Sequence, residues 1–127
     1  MTQPIRIFIN GFGRIGRTLT RMILTEDHGI EIVGINDIAP LETAAYLFAY
    51  DSVFGPFPEP VSHAPGALTV GARTLPVTSA PDISTLDLRG VDLVLECTGR
   101  AEAREVAERG LKAGARRVQI QGCGRAT

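Results

Sequence analysis

The chain has 127 residues, 44% of them hydrophobic and 21% charged, and its formal net charge is −1. This is one domain's worth of chain with enough apolar material for a core, and its near-neutral balance excludes bulk attraction to nucleic acid or a membrane surface. Arg6, Asn10 and Arg14 interrupt the first apolar stretch, so no signal peptide is read there, and no run approaches the ~20 apolar residues that cross a bilayer.

Ile5-Arg6-Ile7-Phe8-Ile9, stopped by Asn10-Gly11, predicts a strand. From Arg14 a helix is expected, with Ile15, Leu19, Met22 and Ile23 on its apolar face and Asp27-His28-Gly29 at its end. Residues 30–35 predict a second strand, ended by Asn36-Asp37. Pro40 suits the first turn of a helix whose apolar side carries Leu41, Ala44, Ala45 and Phe48. Residues 51–66, dense in Pro and Gly, read as a long loop. Leu68-Thr69-Val70 and Thr74-Leu75-Pro76-Val77 flank Gly71-Ala72-Arg73 and predict a hairpin, with Pro76 assigning its strand to a sheet edge. Val91-Asp92-Leu93-Val94-Leu95 predicts a further strand. A helix over about 101–113 follows, with Ala103, Val106, Ala107, Gly110 and Leu111 on one side and Gly114 as its stop. Arg117-Val118-Gln119-Ile120 predicts the last strand. The recurring order strand, helix, strand implies parallel pairing with right-handed crossovers. The expected fold is α/β: a Rossmann-type doubly wound, mostly parallel sheet in a single domain, with the β-hairpin as an excursion.

Gly11-Phe12-Gly13-Arg14-Ile15-Gly16 is a G-x-G-x-x-G run between the first strand and the first helix. Gly11 permits a tight turn, Gly13 lets the backbone approach a pyrophosphate, and Gly16 lets helix and strand pack together. First-turn amides of a helix have no internal acceptors, and the helix dipole favours an anion there. The backbone of Arg14 and Ile15 is therefore expected to face phosphates. The Arg14 guanidinium has two open roles, a phosphate contact or a helix-surface residue. The motif alone is weak, but a strand before it, a helix after it and Asp37 about 20 residues further on make it specific. Asp37 can accept hydrogen bonds from both hydroxyls of an adenosine ribose and would repel a 2′-phosphate, which favours NAD over NADP. Its competing role is a turn or cap before Pro40. Thr98-Gly99 follows the next parallel strand; the glycine admits a nucleotide, and Thr98 can hydrogen-bond it or cap the next helix.

Ile9-Asn10-Gly11-Phe12-Gly13-Arg14-Ile15-Gly16-Arg17 resembles the opening signature of the phosphorylating glyceraldehyde-3-phosphate dehydrogenases. Gly34-Ile35-Asn36-Asp37 resembles that family's second-strand ending, with its ribose-binding Asp. Tyr46-Leu47-Phe48-Ala49-Tyr50-Asp51-Ser52, Cys97-Thr98-Gly99 and Ala113-Gly114-Ala115-Arg116-Arg117-Val118 resemble further family segments, so the likeness runs to about Ile120. The resemblance implies NAD as cofactor and aldehyde oxidation in glycolysis. It also implies cofactor contacts from Asn10, Gly11, Phe12, Gly13, Arg14, Ile15, Gly16, Asp37, Thr98 and Gly99, with Gln121 at the family's nicotinamide-side turn. The family's Arg near the adenine is missing, because this chain reads Ser79-Ala80-Pro81-Asp82 there.

The family's nucleophilic Cys, its His partner and its phosphate-binding residues lie in a second domain. Residues 1–120 are therefore expected to form the NAD-binding domain and 121–127 an unstructured tail, with the catalytic domain absent. Neither Cys97 nor Cys123 matches the nucleophile, His28 and His63 are isolated, and no His/Cys spacing suggests a metal. Two functions follow. One is the cofactor half of a truncated or split NAD-dependent aldehyde dehydrogenase, inactive alone; the other is a non-catalytic NAD sensor or regulatory module. The expected partners are NAD and either a second copy of the chain or a catalytic domain in trans, with no nucleic acid and no membrane. Without an export signal, the two cysteines read as reduced thiols of a cytoplasmic protein.

Overall fold

The computed structural model describes residues 3–26, 29–99 and 103–120. Gln121, Cys123 and the rest of 121–127 lie outside the described residues, as do Asp27, His28 and the expected start of the last helix at Ala101. The elements in chain order are β1 (Ile5–Asn10), α1 (Arg14–Thr25), β2 (Ile30–Asn36), α2 (Leu41–Ala49), β3 (Tyr50–Asp51) and β4 (Gly55–Pro56). They continue with β5 (Val61–Ala64), β6 (Ala67–Val70), β7 (Arg73–Thr78), a 3-10 turn (Ile83–Thr85), β8 (Leu93–Glu96), α3 (Ala103–Ala113) and β9 (Val118–Ile120).

One sheet carries the strands in the order β5-β6-β7-β2-β1-β8-β9. From β7 to β9 neighbouring strands run parallel, as the doubly wound expectation required. The chain works outward from β1 to β2 and β7, then returns to β8 and β9 on the other side. That reversal opens a crevice at the carboxyl ends of β1 and β8. Successive side chains of β1 point to opposite faces. Ile7 and Ile9 join Phe12, Ile35, Ala45 and Phe48 in one part of the core, while Phe8 joins Ile83, Leu88, Val94 and Ala113 in the other. Phe48, 2% exposed, holds the first part together, with its ring centroid 5.7 Å from Phe12 and 4.9 Å from Phe57.

Four expectations need correction. On α1, Met22 is 49% exposed, and the buried line runs through Gly16, Thr20 and Leu24. Thr20 can occupy the core because its hydroxyl donates to the Gly16 carbonyl at 2.8 Å. On α3, Gly110 is buried but Leu111 is half exposed; the side chains of Ala103 and Val106 lie outside the described residues. A Cβ on Gly110 would stand 2.5 Å from Val118, so the missing side chain lets α3 settle against β9.

The span 51–66 is not one long loop. Tyr50 and Asp51 pair with Pro56 and Gly55 in a tiny hairpin, and Val61–Ala64 forms a strand against β6. Asp51 organises the first of these: its Oδ1 accepts the N–H groups of Val53 at 2.7 Å and Phe54 at 2.9 Å. Arg21 clamps the hairpin by donating to the carbonyls of Phe54 and Pro56 while lying over the rings of Phe54 and Phe57.

Pro76 does not lie on an edge strand. β7 pairs with β6 on one side and β2 on the other, which joins the hairpin to the parallel sheet. The Val77 N–H donates to Gly66 on the β6 side, so the Pro76 nitrogen faces β2. Pairing with β2 begins only at Val77, one residue later, and the absent N–H removes no ladder bond. The expected stop at Gly114 is present. With φ at +115° it closes α3 by donating to Leu111, and the next amide, of Ala115, returns to Gly110.

Candidate functional site

The glycine run occupies the crevice between β1 and β8. Gly11 turns the chain at φ +100°, and a Cβ there would lie 2.8 Å from the backbone of Cys97 and Thr98. A Cβ on Gly16 would collide with the Gly11 carbonyl oxygen. Packing inside the protein therefore accounts for both of these glycines. Gly13 differs, because a Cβ there would meet nothing within 4 Å. It stands at the N-cap of α1 with no side chain to cap the first turn. The helix thus presents uncapped amides and the positive end of its dipole to open space, an arrangement that fits a phosphate group.

Asp37, at the end of β2, takes the turn role that its sequence position allowed and adds a bond to the glycine loop. Its Oδ1 accepts the Ala39 N–H at 2.8 Å, forming a turn before Pro40, and its Oδ2 accepts the Phe12 N–H at 2.5 Å. The carboxylate still lines the cleft. Each oxygen keeps a second lone pair, so the local bonds leave acceptor capacity for ligand hydroxyls.

The floor of the cleft is a polar row of which sequence reasoning named only Asn10 as a site residue. Asn36, Asn10 and Glu96 are in register across β2, β1 and β8. Asn10 donates to Glu96 at 2.7 Å and accepts from Asn36 at 2.9 Å. Asn36 also accepts from Thr78 at 2.7 Å and from the Ala80 N–H at 2.8 Å, and donates to the Ala80 carbonyl. Glu96, only 2% exposed, accepts from the Thr98 hydroxyl at 2.6 Å and from its N–H. These side chains set the heights of three loops around the cleft. Their shared signal was visible: each is the polar residue that ends an apolar strand.

Other expected site residues are placed differently from one another. The Phe12 side chain is buried in the core, and Ile15 packs against that same cluster, so both can face the cleft only through backbone. The Arg14 guanidinium pairs with Asp51 at 3.0 Å, a helix-surface contact that leaves the side chain half exposed. Asp51 titrates below the ordinary carboxylate range because Phe54 and Val53 donate their amides to it, with Arg14 and Arg21 adding to the effect. Arg17 donates to the Phe12 carbonyl at 3.2 Å and so braces the loop from behind. Thr98 lies on the wall of the cleft, and Gly99, the next residue, is exposed. Gln121 is outside the described residues. Cys97 is buried, and burial, with a smaller push from the charge of Glu96, raises its thiol to about 12. At neutral pH it is a thiol and not a nucleophilic thiolate.

A doubly wound parallel sheet, a glycine loop at its switch point and a carboxylate at the end of β2 together define a dinucleotide-binding domain. Residues 5–104 match the family described as "Glyceraldehyde 3-phosphate dehydrogenase, NAD binding domain". The chain is 42% identical over 123 residues to the glyceraldehyde-3-phosphate dehydrogenase of Chlamydia pneumoniae, covering 95% of this chain and 37% of that protein. Against the enzyme of Xanthobacter flavus it is 44% identical over 121 residues, covering 93% and 36% respectively. Against that of Thermotoga maritima it is 44% identical over 118 residues, covering 91% and 35%. The chain belongs to the glyceraldehyde-3-phosphate dehydrogenase family and contains its NAD-binding domain. It spans 35% to 37% of the length of these relatives. Among the described residues, no helix is long and apolar enough to cross a membrane.

Proposed function

We propose that the cleft holds NAD with its pyrophosphate on the backbone amides of Gly13, Arg14 and Ile15 and its adenosine ribose on Asp37. The observation that carries this reading is the contrast among the three glycines. Contacts within the protein account for Gly11 and Gly16, whereas Gly13 borders space that a ligand can fill. Thr98 and Gly99 flank the nucleotide, and Asn10 supports the floor through Glu96 and Asn36. Gln121 is assigned to the nicotinamide side by its position in the family pattern.

In this reading residues 1–120 form the cofactor-binding unit of an NAD-dependent oxidation of a phosphorylated aldehyde, carried out in the cytoplasm. Bound NAD accepts the hydride in such a reaction. The residues of this chain bind the cofactor and exclude solvent from it, and the covalent step falls to groups outside these 127 residues. Tyr46, Tyr50, Val53 and Phe54 form an exposed patch on α2 and the small hairpin. Exposed side chains of this kind support a covering partner, either a second copy of the chain or a catalytic domain.

Calorimetric titration with NAD, run beside an aldehyde-oxidation assay, tests the reading. Binding without turnover is the expected result. A folded chain with no affinity for any adenine dinucleotide would overturn the assignment.

A further inference from the structure

The polar row has a direction, and that direction requires an acid at position 96. At one end the Ala80 backbone clasps Asn36: its N–H donates to Asn36 Oδ1 at 2.8 Å, and its carbonyl accepts from Nδ2 at 2.9 Å. The clasp fixes which end of the Asn36 amide is oxygen. Asn36 Nδ2 also donates to Asn10 Oδ1, which turns Asn10 Nδ2 toward Glu96 Oε1 at 2.7 Å. On its other side Glu96 Oε2 meets the Thr98 hydroxyl at 2.6 Å and the Thr98 N–H at 3.3 Å. Donors therefore reach both oxygens. A carboxylate accepts on both sides, whereas glutamine offers one oxygen and one NH2 group. At 2% exposure, a donor left facing a donor there carries its full desolvation cost.

We propose that Glu96 is a positioning residue for the bound dinucleotide, acting through the glycine loop and not by touching the ligand. This rests on the placement of the pyrophosphate at Gly13. The Thr98 turn that Glu96 holds is the surface on which the glycine loop lies. Space there is so tight that a Cβ on Gly11 would stand 2.8 Å from the Cys97 carbonyl carbon and the Thr98 nitrogen. Backbone bonds tie the same layer together: the Gly11 N–H donates to the Asn36 carbonyl at 2.7 Å, and the Cys97 N–H to the Asn10 carbonyl at 2.7 Å. Gly13 follows two residues along that loop and lines the same cleft as Glu96. A shift of the Thr98 turn is thus passed to the amides that open α1. A carboxylate in the floor of an anion site opposes the charge of the ligand, so electrostatics alone would favour glutamine. Its presence marks the seating of the loop as the stronger demand.

The test is calorimetric NAD titration of the wild-type chain, Glu96→Gln, Thr98→Val, Thr98→Ser and the double variant Glu96→Gln/Thr98→Val. Thermal unfolding and amide NMR spectra of each protein without ligand accompany it. Glu96→Gln is expected to bind about tenfold more weakly and Thr98→Val about fivefold, the scale of a lost hydrogen bond to a charged group. Thr98→Ser keeps the hydroxyl and should bind as wild type. The double variant should bind no more weakly than Glu96→Gln, because both changes break one connection. Before any ligand is added, the Gly13, Arg14 and Ile15 amide resonances should move in Glu96→Gln and Thr98→Val, while that of Ala39 stays in place; general loosening of the domain would not select them. Should Glu96→Gln fail to fold, the contrast of Thr98→Val with Thr98→Ser decides. Wild-type or tighter affinity in folded Glu96→Gln, equal affinity in Thr98→Val and Thr98→Ser, or unmoved loop amides overturns the positioning role alone. A folded wild-type chain that binds no NAD overturns both this inference and the site on which it rests.

Discussion

The Asp37 carboxylate accepts the Phe12 N–H at 2.5 Å, so the residue that ends β2 also anchors the loop that leaves β1. Asp37→Ala should therefore do two things. It should weaken NAD binding by about 1–3 kcal/mol, the scale of charge-assisted hydrogen bonds, and it should lower the thermal midpoint by freeing the loop. Asp37→Asn, which keeps an acceptor, should lose less of both. Calorimetry and thermal unfolding of the two variants separate the effects; equal NAD affinity across all three proteins would remove Asp37 from the ribose site.

Gly13 and Gly16 should behave oppositely although they belong to one motif. Gly16→Ala places a methyl group against the Gly11 carbonyl and should destabilise the fold by about 1–3 kcal/mol. Gly13→Ala meets no protein atom and should unfold at the wild-type temperature while binding NAD at least tenfold more weakly. Urea melts and NAD titrations on the same two variants give the comparison. A Gly13→Ala protein with unchanged affinity would place the pyrophosphate elsewhere.

Phe48 joins α2 to the glycine loop through Phe12 and to the segment after β4 through Phe57. Phe48→Ala should cost about 3–5 kcal/mol of folding free energy, the range for removing a buried aromatic ring. Chemical denaturation measures it directly. A loss below about 1 kcal/mol would mean that the ring is not packed as described.

Cys97 and Asp51, two of the shifted groups, act at opposite ends of the pH scale. The Cys97 thiol is raised from 9.0 to about 12 in the folded chain, so the unfolded chain ionises first. Its contribution to stability is complete below pH 9 and falls as pH rises toward 12. Relative to Cys97→Ala, the wild-type protein should lose stability as pH rises from 9 toward 12, read from urea midpoints. Asp51 is lowered, first by the Phe54 and Val53 amides. Its contribution is complete above the ordinary carboxylate value of 3.8 and is lost as pH falls below it. The advantage of wild type over Asp51→Asn should accordingly be full at pH 7 and shrink on acidification; an advantage that does not change with pH would contradict the charged hydrogen bonds at the hairpin.

The parallel core was legible because its signals are local. The apolar run before Gly11, the spacing on α2 and the stop at Gly114 each lie within a dozen residues of the element they define. What escaped depended on distant partners. Thr20 is buried and Met22 exposed because the rotation of α1 is set by the sheet beneath it and by the Thr20 bond to Gly16. The pairing of Arg14, open in sequence between a phosphate contact and the helix surface, depends on Asp51, 37 positions away. Glu96 lies 86 positions from Asn10, and only the register of parallel strands brings the two together. The polar floor of the cleft is thus a product of topology, whereas the glycine loop above it is written in six consecutive letters.

The junction of β7 with β2 consists of two residue pairs, Ile35 with Val77 and Asn36 with Thr78. The backbone seam is short, and Leu68, Val70 and Leu75 supply what it lacks, buried with Ile35 and Phe48 in one core. Because Asn36 also holds Ala80, that wall of the cleft is tied to β2 by a side chain and not by strand pairing.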